Sequence, residues 1–224
     1  MPPILPPASL EADCSRCVAL CCVLLAFDRS EAFAFDKASG VACQHLVSGW
    51  RCGIHDDLLG EGCGGCAAYD CQGAGPRAVE LLGLEPSSTR WWGDEPAMSV
   101  VAEVFGVLRT LHELLAYLQD AAAFVTTAQR SEAARIAARV EAAAVSTSRE
   151  ELLSLDVGAL AREVHAFLRG LATSVPQVAR GKRLPILNDE GAQAPRAPSV
   201  VGPKGASGRC STRKSTKVRT LGES

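Results

Sequence analysis

The stretch Cys14-Ser-Arg-Cys17-Val-Ala-Leu-Cys21-Cys22 decides how the first third of this chain is held together. A two-residue spacer lets both cysteine sulfurs turn toward one metal ion, and a second pair from elsewhere in the chain completes a tetrahedron. Neighbouring side chains diverge, so Cys21 and Cys22 either serve two ions or divide the roles of ligand and small buried apolar residue. The stretch therefore predicts metal binding by thiolates.

The cysteines that follow strengthen this prediction. Nine of the ten cysteines fall within the 58 residues from Cys14 to Cys71, and Cys210 stands alone near the C-terminus. A single Cys-x-x-Cys pair is a weak signal. Two such pairs and the Cys-x-x-His of Cys52 to His55, all within one short segment, form a strong one.

The candidate ligands number nine, and two ions with about four ligands each would use them almost completely. The predicted metal ligands are Cys14, Cys17, Cys21, Cys22, Cys43, Cys52, Cys66 and Cys71, with His55 in reserve. Cys63 is set aside because Cys66 and Cys71 compete with it for the same place. His45 is a weaker candidate, while His112 and His165 fall on predicted helices and are read as ordinary residues.

A structural role for the metal agrees with the energetics of this segment. Ordering a residue costs roughly 1–2 kcal/mol in backbone entropy, and this glycine-rich segment has little apolar core to offset that cost. A structural zinc ion contributes about 10–16 kcal/mol of apparent binding free energy. Sites made of thiolates suit zinc and iron–sulfur clusters alike. The spacing is not the ferredoxin run, so zinc is favoured, with iron or an iron–sulfur cluster as the alternative.

Composition divides the 224 residues into three zones. Residues 8–95 form the Cys-rich metal-binding module, in which the glycines at 60, 62, 64, 65, 73 and 75 indicate loops. Within it, the segment from Cys17 to Phe27 resembles a short helix. Residues 96–174 form an α-helical bundle, and residues 175–224 form a disordered basic tail. The predicted fold is mainly α, with a small irregular metal-stabilised domain before the bundle.

The second zone has the pattern of amphipathic helices. Pro96 suits the first turn of a helix, where its missing N–H needs no partner. Apolar residues at three- and four-residue steps predict one face of a long helix, namely Val101, Val104, Leu108, Leu111, Leu115 and Leu118. The expected caps of later helices are Ser131, Ser148 with Glu151, and Asp156. Their inward faces are Ala133, Ile136 and Val140, then Leu160, Val164, Phe167 or Leu168, and Leu171. Three to four such helices predict a small antiparallel bundle.

Charge is distributed unevenly along the chain. Residues 181–224 hold nine Lys and Arg against three Asp and Glu, whereas the rest of the chain holds 14 basic and 22 acidic residues. A basic tail of this kind is usually solvated, and contact with nucleic acid is the less favoured reading. The protein partner is unknown.

The N-terminus and the hydropathy predict the compartment. Met-Pro-Pro-Ile-Leu-Pro-Pro lacks the basic and apolar regions of a secretory signal. No run of 18 apolar residues occurs, so no membrane span is expected. We therefore expect a cytoplasmic protein whose cysteines are thiols or metal thiolates rather than disulfides.

The cysteine pattern resembles that of the bacterial CxxCxxxCC family of domains, for which zinc or iron chelation is proposed. Several stretches are closer to the N-terminal module of bacterial pentapeptide-repeat proteins, namely Ala12-Asp-Cys-Ser-Arg-Cys17, Phe35-Asp-Lys37, Arg51-Cys-Gly-Ile-His55 and Tyr69-Asp-Cys-Gln-Gly-Ala-Gly75. The resemblance covers about residues 8–95. The pentapeptide array itself is absent, so no role of that β-helix carries over, and the subgroup does not usually have cysteine at position 63.

These patterns leave three functions open. The favoured one is a metal-binding, structural or interaction protein without an evident catalytic site. The first alternative is an iron–sulfur redox or electron-transfer protein, and the second is a thiol enzyme or metallochaperone that uses an exposed Cys63 or Cys66. No Ser-His-Asp arrangement, phosphate-binding glycine loop or HExxH helix is present. We therefore predict no catalytic residues and favour a protein that is not an enzyme.

Overall fold

A computed structural model describes residues 9–85 and 91–174. Within these residues the chain forms seven α-helices and one small two-stranded sheet, so the expectation of a mainly α fold is confirmed. The elements, in chain order, are α1 (Leu20–Leu24), β1 (Leu46–Val47), β2 (Arg51–Cys52), α2 (Gly64–Ala68), α3 (Ala74–Leu82), α4 (Glu95–Ala121), α5 (Arg130–Ala144), α6 (Arg149–Leu153) and α7 (Val157–Ser174).

Helix α4 is the central element of the fold. It begins after Asp94 and has Pro96 in its first turn, where proline leaves no N–H without a partner. All six apolar residues of the predicted inward face are buried, and they are joined by Phe105 and Leu114. Helices α3, α5, α6 and α7 all pack against α4. The periodic stripe therefore marks the helix around which the described residues are built.

Two of the three predicted caps lie where the sequence puts them. The Ser148 side chain accepts from the Glu151 N–H at 3.2 Å, and Asp156 Oδ1 accepts from the Ala159 N–H at 2.8 Å. Both bonds satisfy N–H groups that have no partner within the first turn of their helix. The predicted residues of α5 and α7 are buried, apart from Leu168, which is half-buried.

Ser131 is not a cap, because α5 already begins at Arg130 and Ser131 lies within its first turn. A short 3₁₀ turn, Thr127–Gln129, precedes the helix. In that turn the Thr126 and Gln129 side chains form the capping box. Thr126 and Gln129, three residues apart, fit the sequence pattern of a capping box. The sequence therefore contains two candidate starts for this helix, and the prediction chose the later one, Ser131.

The cysteine-rich zone contains more helix than its glycines predict. Gly64 and Gly65 lie inside α2 and Gly75 lies inside α3, so the loop assignment is wrong at these three positions. The predicted regular element from Cys17 to Phe27 is a helix only over its middle, α1. The signal for α3 was the run from Ala74 to Leu82, whose Ala74 and Ala78 are completely buried at a helical spacing.

One apolar core runs through both zones. It includes Val18 just before α1 and Leu20 and Val23 within α1, continues through α3, and extends to Leu171 at the end of the bundle. Arg77 of α3 joins the zones further, since its Nε and Nη2 donate to Ala144 O at 3.2 Å and to Ser146 O at 2.6 Å. These carbonyls lie at the C-terminal end of α5, where they have no partner within the helix.

The remaining expectations about architecture concern the ends of the chain and the membrane. None of the helices within residues 9–85 and 91–174 combines the length and apolar character needed to cross a bilayer. The predicted disordered tail, with Cys210, lies outside the described residues.

Candidate metal centre

Four cysteines from three separate segments lie near the start of α3, and we call them the first thiol group. They are Cys14, Cys17, Cys21 and Cys71. The contact with α3 is close, because a Cβ atom added at Gly75 would lie 3.0 Å from Cys17 Sγ and 3.7 Å from Cys71 Sγ. Glycine at position 75 therefore leaves the space that these two sulfurs occupy.

Short turns bring the first thiol group together. Asp13 accepts from the Ser15 N–H at 2.9 Å and begins the 3₁₀ turn Cys14–Arg16, and the Cys17 N–H closes it on Cys14 O at 3.4 Å. This turn packs against α3. At the other end, the Ala74 N–H donates to Cys71 O at 2.9 Å. The backbone thus fixes where each of these thiols can reach.

The thiols of the first group lie close enough together to affect one another's ionisation. Burial, followed by the charges of Cys21 and Cys71, raises the pKa of Cys14. Burial is also the main cause that raises the pKa of Cys17 to about 11. Arg51 opposes the shift at Cys14. With raised pKa values, Cys14 and Cys17 are protonated at neutral pH unless a cation displaces the protons, as a bound metal ion does.

Four further cysteines, Cys22, Cys43, Cys52 and Cys66, form what we call the second thiol group. The Cys43 N–H donates to Cys22 O at 2.9 Å, and Cys52 lies on β2, paired with Leu46 of β1. Burial, followed by the charges of its neighbours, raises the pKa of Cys66 to about 11. The neighbouring thiols in order of effect are Cys63, Cys43, Cys21 and Cys52.

Cys21 and Cys22 connect the two groups. Their Sγ atoms are 4.0 Å apart. The contact between the two thiols, followed by burial, raises the pKa of Cys21 well above the usual range of a cysteine. Cys21 also affects the ionisation of Cys66, so the two groups are adjacent. The two thiol groups therefore adjoin one another at Cys21 and Cys22.

His55 and His45 lie apart from this arrangement. His55 belongs to the 3₁₀ turn His55–Asp57, and its side chain is 68% exposed with its Nδ1 3.9 Å from Asp56 Oδ1. The ring of His45 packs beside that of Phe35, with the centroids 5.4 Å apart.

Cys63 is buried, with 2% of its surface exposed, so the expectation that it offers an exposed thiol is wrong. Its Sγ lies 3.7 Å from Glu61 O. Cys66, the other cysteine considered for thiol chemistry, is exposed. The backbone conformation places Cys63 just before α2 and turns its side chain inward.

The chemistry of the donors fits zinc, because cysteine sulfur is the ligand that zinc prefers in structural sites and all eight predicted cysteine ligands supply it. Within residues 9–85 and 91–174, no three side chains of His, Cys, Asp or Glu stand close enough together to hold an ion between them. The thiols therefore lie in two adjacent groups, and in neither group do three of the described thiols stand close enough together to hold one ion.

Two residues near the thiols had no predicted role in the site. Lys37, which is buried among the cysteines, gave no signal beyond its place in Phe35-Asp-Lys37. His112, read as ordinary, is 2% exposed, and its Nδ1 donates to Gln72 O at 2.6 Å. Gln72 has a left-handed backbone, with φ of 49°, directly after Cys71. His112 therefore ties α4 to the backbone beside the first thiol group.

Comparison with known proteins gives one informative similarity. The chain is 34% identical over 177 residues to an uncharacterized protein of Bacillus subtilis (strain 168), YybG. The matched segment covers 79% of this chain and 62% of that relative, so the chain spans about three fifths of the relative's length. No protein-family model matches the chain, and no solved structure matches it.

Proposed function

We propose that this chain is a metal-binding protein in which zinc, held by thiolates, stabilises the cysteine-rich module and through it the contact with the helical bundle. The role is structural or in protein interaction, with no catalytic residue assigned. The resemblance to the CxxCxxxCC domains and to the N-terminal module of pentapeptide-repeat proteins agrees with this proposal.

One observation carries the proposal, namely that the sulfur atoms of Cys17 and Cys71 both lie close to Gly75 of α3. Their sulfur atoms lie where a side chain at position 75 would be, although the two cysteines are 54 residues apart in the sequence. Cys14 and Cys21 are close enough to Cys17 to raise the pKa of its thiol further. Cysteine sulfurs are the usual ligands of a structural zinc ion, and two of them already lie against the same residue of α3.

Binding would require modest rearrangement of side chains. A cysteine sulfur moves by rotation about one bond, χ1, and staggered rotamers differ little in energy for an exposed or half-buried cysteine. Cys14 is exposed, and Cys17, Cys21 and Cys71 are half-buried. In this proposal each thiol loses its proton to solvent when the ion binds, and the ion then holds the rotated sulfurs in place.

The test is elemental analysis of the anaerobically purified full chain, together with an optical spectrum. We expect zinc in stoichiometric amount and a colourless protein. Iron with absorption near 400 nm would favour the iron–sulfur alternative and contradict zinc. A chain that holds no metal at all would contradict the whole proposal.

Two serine variants make the test specific to the site. Cys17→Ser removes a sulfur that lies against Gly75 and should lower the bound metal. Cys63→Ser replaces a buried cysteine that lies near Cys66 but is not one of the predicted ligands, and it should leave the metal content unchanged. An equal loss of metal in both variants would indicate general unfolding of the module instead of loss of a ligand.

Gly75→Ala tests the same contact without removing a donor. The added methyl group would stand 3.0 Å from Cys17 Sγ, so we expect weaker metal binding by an otherwise complete set of cysteines. Gly106→Ala is the matched control, because position 106 lies on α4 with open space around it. Metal affinity in Gly106→Ala should equal that of the unchanged chain.

A further inference from the structure

Three tryptophans form one cluster at the surface of the cysteine-rich module. They are Trp50, Trp91 and Trp92, and the chain has no other tryptophan. The Trp50 ring contacts both of the others, with its centroid 5.6 Å from that of Trp91 and 6.2 Å from that of Trp92. Trp91 is 4% exposed, whereas Trp92 is 42% exposed. The tryptophan cluster therefore extends from the apolar core to solvent through one set of packed rings.

The backbone of Trp50 is strained. Its φ is 58°, in the left-handed region that residues other than glycine rarely adopt. Trp50 lies in the turn of residues 48–50, between the paired strands β1 and β2. A bulky residue keeps such a conformation only where its surroundings hold it there, and such positions concentrate at binding and switch sites. The fold thus places the Trp50 ring in the cluster despite the strain, which indicates a binding role for the cluster.

The indole N–H of Trp91 is a buried donor in the same cluster. Its Nε1 is shielded from solvent and has no hydrogen-bond acceptor among the described residues. The great majority of buried N–H groups in proteins have a partner, because a donor that leaves water without one is costly. The missing acceptor must come from outside the described residues, and the rings around it are apolar.

The exposed rings and the buried donor together fit a proline-rich segment. Such segments adopt the polyproline II helix and dock on surfaces lined by aromatic side chains. The backbone of this helix makes no internal hydrogen bonds, so its carbonyls are free to accept from an indole N–H. Proline rings meanwhile pack on the apolar faces of the tryptophans.

The chain carries a segment of this kind directly before the described residues. Met1-Pro-Pro-Ile-Leu-Pro-Pro-Ala8 has four prolines, and Pro3-Ile-Leu-Pro6 matches the P-x-x-P pattern. It joins the module at Ser9, whose carbonyl oxygen stands where a Cβ at Gly73 would lie, next to the start of α3. Eight residues of polyproline II span about 25 Å, whereas the nine residues of α3 span about 13 Å. The segment is therefore long enough to pass the whole of α3.

A second P-x-x-P pattern, Pro195-Arg-Ala-Pro198, fits the cluster less well. It places Arg196 between its prolines, and a charge is costly to bury against apolar rings. The N-terminal segment has Ile4 and Leu5 at the corresponding positions, which gain by burial. The second pattern also follows α7, which packs on α4 and α5 of the bundle. The N-terminal segment is therefore the better occupant.

We propose that residues 1–8 of the chain dock on its tryptophan cluster as a polyproline II helix, with one of their carbonyls as the acceptor for the Trp91 N–H. This inference goes beyond the proposed metal-binding function, because none of the three tryptophans is a predicted ligand. Attachment at Ser9 gives the segment a local concentration of about millimolar, so even a weak site is filled. The docked segment closes the surface to other proline-rich segments.

Tryptophan emission tests the docking in the full chain. Because all three tryptophans lie in the cluster, emission reports on this surface alone. The double variant Pro3→Ala/Pro6→Ala should release the segment, so emission should move to longer wavelength and quenching by acrylamide should increase. Pro195→Ala/Pro198→Ala is the matched control and should change neither. Unchanged emission in the first variant, or an equal change in the second, would overturn the N-terminal segment as the occupant.

A labelled synthetic peptide with the sequence of residues 1–8 tests the surface separately. Its fluorescence anisotropy should rise on titration with the Pro3→Ala/Pro6→Ala chain. The unchanged chain should bind it more weakly, because its own segment competes. A peptide with alanine at positions 3 and 6 should not bind. Equal binding of the first peptide to both chains would show that the segment does not occupy the surface, and binding to neither would contradict a proline-binding surface.

Variants of the rings locate the site within the Pro3→Ala/Pro6→Ala chain. Trp92→Ala should weaken peptide binding by about 10-fold or more, as loss of an aromatic anchor does. Trp91→Phe keeps a ring but removes the N–H, and should weaken binding by about 2- to 10-fold. Val145→Ala truncates an exposed apolar residue at the end of α5 and should have no effect. Unchanged binding in Trp92→Ala would overturn the site, and unchanged binding in Trp91→Phe would overturn the hydrogen bond.

Discussion

The two zones of this protein are of similar length and bury very different amounts of apolar side chain. Among the described residues, ten buried apolar residues lie in the cysteine-rich zone, residues 8–95, and twenty lie in the bundle, residues 96–174. In the bundle, long amphipathic helices cover one another. In the cysteine-rich zone, short helices and turns converge on thiols and a buried lysine. The bundle therefore has a large apolar core of its own, whereas the module has few buried apolar residues beyond those it shares with the bundle.

The contact between the zones sharpens this comparison. The apolar part of the module lies on the side that faces the bundle, at α1 and α3. Cys17 and Cys71 of the first thiol group pack against that shared core, whereas no member of the second thiol group does. We therefore expect perturbations of the metal to affect the module first and perturbations of α4 to affect both zones.

Removal of metal should have the largest effect. With zinc contributing about 10–16 kcal/mol of apparent binding free energy, a strong chelator should unfold much of residues 8–95. Most of the helical signal should persist, because α4, α5 and α7 have their own core. Hydrogen exchange with and without chelator would measure this. We expect rapid exchange confined to the module. Unchanged protection of the module would contradict the expected difference between the two zones.

Leu108→Ala should have the next largest effect, a loss of about 2–5 kcal/mol in the free energy of unfolding. Leu108 is completely buried on the face of α4 that the other helices share, so its truncation leaves a cavity. Urea denaturation followed by far-ultraviolet circular dichroism would measure the change. Glu103→Ala on the exposed face of α4 is the control and should change stability by no more than about 0.5 kcal/mol.

Arg77→Met should lower stability by about 1–3 kcal/mol, since hydrogen bonds to charged groups are worth more than neutral ones. The change leaves two carbonyls at the end of α5 without their donor and loosens the contact between the zones. Thermal unfolding of the metal-loaded chain would measure it. Glu80→Gln removes only the exposed ion pair with Arg77, of 3.1 Å, and should have less effect. A larger effect of Glu80→Gln would contradict this account.

His112 should produce the smallest effect, visible only in acid. Burial, opposed by the hydrogen bond to Gln72, lowers the pKa of His112 below its ordinary value of 6.5. The unfolded chain therefore binds a proton at a higher pH than the folded chain does. The stability linked to His112 is fully present above about pH 6.5 and is lost as the pH falls toward the lower folded pKa.

His112→Gln removes this titration, so the fall in stability just below pH 6.5 should become shallower than in the unchanged chain. Urea denaturation of both proteins at several pH values would measure the slopes. The folded chain resists protonation because Nε2 of His112 is buried and has no hydrogen-bond partner among the described residues. Identical slopes in the two proteins would show that His112 is not the titrating group.

Part of the fold could be read from the sequence because its signals are local. The buried face of α4 follows from the spacing of its apolar residues, and Ser148 and Asp156 cap helices because each satisfies N–H groups a few residues away. In the module, the glycines led to a loop prediction that is wrong at three positions. Gly65 and Gly75 lie inside helices at positions where Phe33 and Cys17 leave little room for a side chain, and no local pattern reveals such contacts.

The sequence by itself determined that nine cysteines lie within 58 residues and that a long amphipathic helix follows them, since both are patterns of residue type and spacing. Only the tertiary structure decided which cysteines are neighbours. Cys17 and Cys71 both lie against Gly75 of α3, and Cys43 lies close enough to Cys66 to raise the pKa of its thiol, because turns fold distant segments together. The burial of the Lys37 ammonium group was likewise decided only by the tertiary structure. Spacing along a chain specifies which donors exist, and packing in space specifies which of them can share an ion.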